Sequence, residues 1–309
     1  MPSKFDRTMQ KNFKECREWL DYPDNQALLE DAHIELRAYL AAPGELSSKA
    51  FLRLERLGLH SRVAACEAYG RKDVSDLALH LTATVGYCAL VSRLEATFSA
   101  MTPEEAGGRP AAFRDSMKAA GPVMLGQWDE ASICAKGFIA VAEKDQRLRM
   151  PESRRLRHGT VDAFLIQLFC QEFSIETIFQ SLKPIHPAYA TLLQHWNSAD
   201  ATEFITAMQT ATEFHLSRSR NSTNSASYEF DEPFTQIFPV ELLAVQSLRH
   251  RHNRPMIKIG HPLVDDTWAA IMQLPRLPKD PFLFSLENRL QNDFPLFCQF
   301  GNLPKGIEP

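Results

Sequence analysis

This 309-residue chain predicts an all-α fold, a single multi-helix bundle of antiparallel helical hairpins. Three observations carry that reading. Apolar residues recur at helical spacing over most of the length, only 13 residues are glycine, and a single segment, 256–259, alternates in the manner of a strand. Glycine inside a helix costs about 1 kcal/mol relative to alanine, so its scarcity favours long helices.

Phe5, Met9, Phe13 and Cys16 place a first amphipathic helix that ends at Trp19 or Leu20. Asp24 and Asn25 offer caps for a second, with Leu28, Leu29, Ala32, Leu36, Tyr39 and Leu40 on one side and Pro43-Gly44 as its stop. Ser47 or Ser48 opens a third, which runs through Phe51, Leu54 and Leu57 to about Tyr69. A fourth extends from about Val74 to Met101, interrupted only by Gly86. Its broad apolar surface predicts a central helix covered on most sides.

Thr102-Pro103-Glu104-Glu105 is a start signal, with a capping Thr, Pro at the first helical position and acids in the first turn. Gly107-Gly108 ends that short piece, and a helix is expected over 110–120. Residues 125–144 read as a turn and a helix packed through Trp128, Ala131, Ala135, Phe138 and Val141. Further helices are expected over 160–173, 187–196 and 201–216, the last capped by Ser198 or Asp200. Residues 217–227 carry almost no apolar side chains and predict a mobile polar loop.

Another helix is predicted over 239–251, then at most one short strand at 256–259 and a short helix over 266–272. From 275 to 309 the prolines predict an extended tail packed on the body. No repeat and no long linker divides the chain, so residues 1–309 are expected to form one domain.

Composition narrows the function classes. The net charge of −4, from 38 acidic and 34 basic residues, gives no ground for direct nucleic-acid binding. The six cysteines are scattered without a C-x-x-C pair, and reduced buried thiols are expected. The N-terminus has no apolar run that would serve as a signal peptide. No window holds 18 uninterrupted apolar residues, so no membrane span and a cytoplasmic location are expected.

The sequence displays no assembled catalytic set. His250 and His252 lie two apart, which on a helix points them to different sides, and a solvated basic helix end is the expected reading. His261 adds no recognised ligand spacing. Catalytic, cofactor-binding and metal-ligating residues are therefore all expected to be none. Lys144, Arg147, Arg149, Arg154, Arg155, Arg157 and His158 form the densest basic run. Interleaved Glu143, Asp145 and Glu152 make it a solvated or partner-facing turn.

Tyr228, Glu229, Phe230, Asp231 and Glu232 put aromatic and acidic side chains beside the polar loop, a composition suited to a protein interface opposite a basic partner. A loop rejoining the core would use the same aromatics. Asp265 and Asp266 are a second acidic pair counted with this partner-facing set, although one of them could simply cap the following helix. Trp128-Asp129-Glu130-Ala131, with Ala135, has the small-residue spacing of a tetratricopeptide unit, but one copy reads as ordinary helix packing.

Two regions together resemble the immunity protein 49 family of bacterial polymorphic toxin systems. The first is Phe238-Pro239-Val240-Glu241-Leu242-Leu243-Ala244-Val245, continued by Arg254-Pro255-Met256-Ile257-Lys258-Ile259 and His261-Pro262-Leu263-Val264. The second is Leu125-Gly126-Gln127-Trp128-Asp129-Glu130-Ala131, similar to the mid-chain hairpin of such proteins. Asn253 and Arg254 depart from the family pattern, standing where a Gly-containing turn is expected. The resemblance implies a cofactor-free protein that binds and neutralises a cognate toxin, with a nuclease toxin suggested by the mild acidity. A helical enzyme with a His/Asp site and a tetratricopeptide-like scaffold are the competing readings.

Overall fold

The computed structural model describes residues 3–42, 48–103, 116–147, 161–181, 184–223 and 228–300. Among them it is all-helical, with no strand. The order is α1 (Lys4–Asp21), α2 (Pro23–Ala41), α3 (Ser48–Arg71), α4 (Val74–Met101), α5 (Ser116–Met124), α6 (Trp128–Arg147) and α7 (Val161–Phe173). Then come α8 (Pro187–His195), α9 (Ala201–Arg218), α10 (Pro233–Ile237), α11 (Val240–Arg251), α12 (Pro262–Met272), α13 (Pro281–Asp293) and a 3-10 turn over Pro295–Phe300.

The fourth helix is central, as its composition predicts. Leu77, Leu81, Val85 and Ala89 recur every four residues and enter the main core, with Phe138, Phe164, Phe204 and Leu242 from α6, α7, α9 and α11. Tyr87, Leu90, Val91 and Leu94 leave the same helix in another direction. They join a second core with Leu36 of α2, Leu54 of α3 and Leu283, Leu286 and Leu290 of α13. The helix is long and apolar enough to cross a membrane, yet its apolar side chains pack on its own neighbours. Gly86 seats the last helix, since a Cβ there would collide with Leu283 Cδ2.

Helix ends explain several departures from expectation. Pro23, Pro187, Pro233, Pro262 and Pro281 all occupy first-turn positions, where the missing N–H removes nothing from the ladder. So the proposed extended tail is corrected: Asp280 accepts from the N–H groups of Phe282 and Leu283, and residues 281–293 are helix. Tyr22 with Pro23, in place of Asp24 or Asn25, starts α2. Ser217 and Arg218 of the proposed mobile loop belong to the last turn of α9, and 224–227 lie outside the described residues.

At most one short strand was expected, at 256–259, and the described residues form none there. That stretch has no strand beside it to complete a ladder and is held by side chains: Asp265 accepts from the N–H groups of Ile259 and Gly260, and Gln209 donates to the Ile259 carbonyl. Where a Gly-containing turn was expected after α11, Asn253 adopts φ 54, the left-handed conformation that glycine would supply. The Arg254 and Asn253 N–H groups close on the Arg249 and His250 carbonyls at 2.9 and 3.0 Å, completing a Schellman stop. Gly126 (φ 66) ends α5 with the same pattern and turns the chain into α6. Of the basic run, residues 148–160 lie outside the described residues. Lys144 is buried, its ammonium donating to the Ser99 and Thr102 carbonyls at the C-terminus of α4, where the helix dipole favours a cation.

A candidate binding cleft and the acid cluster behind it

A cleft of about 210 Å³ opens between α3, α4, α5 and the segment 229–235. Helix α3 contributes Glu55 and Arg62, α5 contributes Lys118, and Glu229, Asp231 and Glu232 complete the charged lining. Thr84, Val85 and Cys88 of α4 form another wall, and Met124, Phe234 and Val240 add apolar surface. Charged positions are cross-tied. Arg62 Nη1 donates to Glu232 at 2.8 Å, and Lys118 lies 3.1 Å from Glu95 and 3.8 Å from Glu55.

The segment 228–232 is firmly placed. Phe230 is fully buried, stacked on His215 with ring centroids 3.9 Å apart. Glu229 is buried as well. These two are core-facing, which corrects their assignment to a partner surface: an apolar ring gains more from burial than from exposure, and it draws its neighbour in. Asp231 and Glu232 stay half-buried at the cleft, the first accepting from Ser222 Oγ at 2.7 Å. Tyr228 is half-buried beneath the guanidinium groups of Arg218 and Arg220.

Behind Glu229 lies a cluster of titratable side chains enclosed in the main core. Tyr189, His215 and Glu241 are each fully buried. The Tyr189 hydroxyl donates to Glu241 Oε1 at 3.1 Å, and His215 Nδ1 meets the same oxygen at 2.6 Å. Glu241 Oε2 and His215 Nε2 have no hydrogen-bond partner among the described residues. Asp162, in the first turn of α7, is buried too, and its Oδ1 is unpartnered. Burial pushes the Asp162 carboxyl up to about 8, against the pull of first-turn amides and with the Glu229 charge adding to the rise. Burial, then the charges of Glu241 and Glu229, push the Tyr189 phenol well above its ordinary range.

The other sequence candidates disperse. His250 is exposed, and His252 Nε2 meets Glu172 at 2.7 Å. His261, and neither aspartate, caps α12, with its Nδ1 accepting from the Leu263 N–H. The reason is spacing: His261 stands immediately before Pro262, while Asp265 is already inside the helix and turns back to the 259–260 backbone. Asp266 is exposed. None of these five lines the cleft. Among the described residues no group of three or more His, Cys, Asp or Glu side chains has metal-holding geometry.

Comparison with family models, curated proteins and solved structures finds no match.

Sequence reading missed Thr84, Arg62, Asp162, Tyr189, His215 and Glu241. Two of them carried a signal, since Glu241 and Asp162 each interrupt an otherwise apolar helical run. An acid in such a run is either at a surface or a buried anomaly. The other four are ordinary residues on amphipathic helices, and only the fold brings them to the cleft or the cluster.

Proposed function

We propose that this chain is a cytoplasmic immunity protein of the immunity protein 49 type, which binds a cognate bacterial toxin and neutralises it by non-covalent occlusion. The observation that supports this reading is the fixed acidic edge at Asp231 and Glu232. Phe230 anchors it in the core, Ser222 and Arg62 orient its carboxyls, and it borders a cleft. An edge ordered before binding loses little side-chain freedom on association. Its charge complements a basic partner such as a nuclease toxin and would speed the encounter. Helix α11, which carries part of the first stretch of the resemblance, also meets Trp128 of the second, with the Arg251 guanidinium 4.5 Å over its ring. Neutralisation at nanomolar affinity corresponds to about −12 kcal/mol, within reach of an interface of roughly 1,600 Å².

The test is co-expression with the toxin domain encoded in the neighbouring reading frame. Protection by this chain, and its loss in the Asp231→Lys, Glu232→Lys double variant, is the expected result. Equal growth with and without the chain, or full protection by the charge-reversed variant, rules the reading out.

A further inference from the structure

The cleft carries a chemical preference of its own, which does not depend on any toxin. Thr84 is 2% exposed and lines the cleft, yet among the described residues its hydroxyl has no hydrogen-bond partner. Several other helical threonines, Thr97, Thr206 and Thr212 among them, return their hydroxyls to the carbonyl four residues back. Thr84 does not. Arg62 uses Nη1 on Glu232 while its buried Nε has no partner among the described residues. Both residues line the same cleft. Four carboxyl-bearing residues line the same cleft against two cationic ones, so the lining also favours a positive charge.

We infer that this cleft binds a small zwitterion, a free amino acid or similar compound with an ammonium group and a carboxylate. Its carboxylate accepts from Thr84 Oγ1 and Arg62 Nε, and its ammonium lies toward the acidic wall at Asp231 and Glu232. Buried polar groups are almost always satisfied, and this ligand satisfies both. The volume suits roughly seven non-hydrogen atoms, at about 30 Å³ for each water-sized group. Val85, Met124 and Val240 leave apolar surface for a short side chain. A simple anion would meet an excess of acids, and a simple amine would leave Thr84 and Arg62 unsatisfied. A divalent cation lacks a ligand set among the described residues.

The purified full chain should be titrated by calorimetry and thermal shift with glycine, alanine, serine, threonine and γ-aminobutyrate, beside ethylamine, acetate, phosphate and magnesium. The expected result is a dissociation constant below about 1 mM for at least one zwitterion, about tenfold tighter than for ethylamine or acetate. Thr84→Val should weaken that binding about tenfold or more, and Thr84→Ser should retain it, because only the hydroxyl matters. Glu232→Gln, which releases Arg62 Nη1 and removes one carboxylate, should change the preference for ammonium and supplies a second variant should valine disturb α4. No zwitterion binding at about 10 mM overturns the inference. So does binding indifferent to both Thr84→Val and Glu232→Gln, or acetate, ethylamine, phosphate or magnesium binding as tightly as any zwitterion.

Discussion

Two buried polar centres among the described residues are built on opposite principles. In the second core Arg93, 0% exposed, lies between Glu130 at 3.2 Å and Glu287, with its guanidinium 4.1 Å over the Phe297 ring. Each acid faces a cation, and Lys279 also reaches Glu287. In the main core Glu241 has Tyr189 and His215, and among the described residues neither it nor Asp162 meets a lysine or arginine. One centre is compensated and joins α4, α6 and α13. The other keeps acid groups in a low-dielectric interior next to a cleft. Compensation makes a structural tie. Uncompensated burial costs stability, and proteins retain it where something other than stability is selected.

The largest expected effect breaks the compensated centre. Arg93→Met leaves two acids facing an apolar side chain and should lower unfolding free energy by about 3–5 kcal/mol in urea titrations. Adding Glu287→Gln should restore much of it. An unchanged midpoint for Arg93→Met would show that the ion pairs do not hold the last helix.

The acid-rich centre should respond in the opposite sense. The folded Asp162 carboxyl titrates at about 8 against 3.8 ordinarily, so folding takes up a proton between those values. Its contribution is therefore best below the unfolded value and is lost as pH rises from about 4 to about 8. Asp162→Asn keeps an acceptor for the first-turn amides and removes the titration. It should be more stable than the parent by roughly 2–4 kcal/mol at pH 7. Its stability should also depend less on pH across that window. A parallel pair of pH curves would place the Asp162 proton elsewhere. Tyr189→Phe removes the hydroxyl that Glu241 accepts and should cost about 1–2 kcal/mol, without the shift of pH dependence expected at Asp162.

This contrast was only partly legible beforehand. Helical periodicity and scarce glycine give the fold class and the central position of α4, because both depend on local spacing. The C-terminal prolines argue for an extended tail, yet Pro281 starts a helix, because proline is tolerated in a first turn. The turn after α11 is a place for glycine by the family pattern, and Asn253 takes that left-handed conformation itself. Asp231 and Glu232 are legible as acids on a partner-facing segment, though the burial of Phe230 in the core and the cleft that the acids border are not. It is assembled from positions near 55–62, 84–88, 118–124 and 229–240, and no local pattern encodes contacts so far apart in the chain.

The smallest effect sharpens the comparison most. Glu287 is shared between buried Arg93 and Lys279, whose side chain is 38% exposed. If the compensated centre owes its strength to desolvation, the two cations should contribute very unequally although both touch one carboxylate. Lys279→Met should cost about 0–1 kcal/mol and be masked by added salt, because water and ions screen the lysine. Arg93→Met should cost several times more and resist salt. Comparable losses from the two variants, each diminished at high ionic strength, would mean that water reaches the Arg93 centre. Its distinction from the Glu241 centre would then lie in the number of cations and not in their burial.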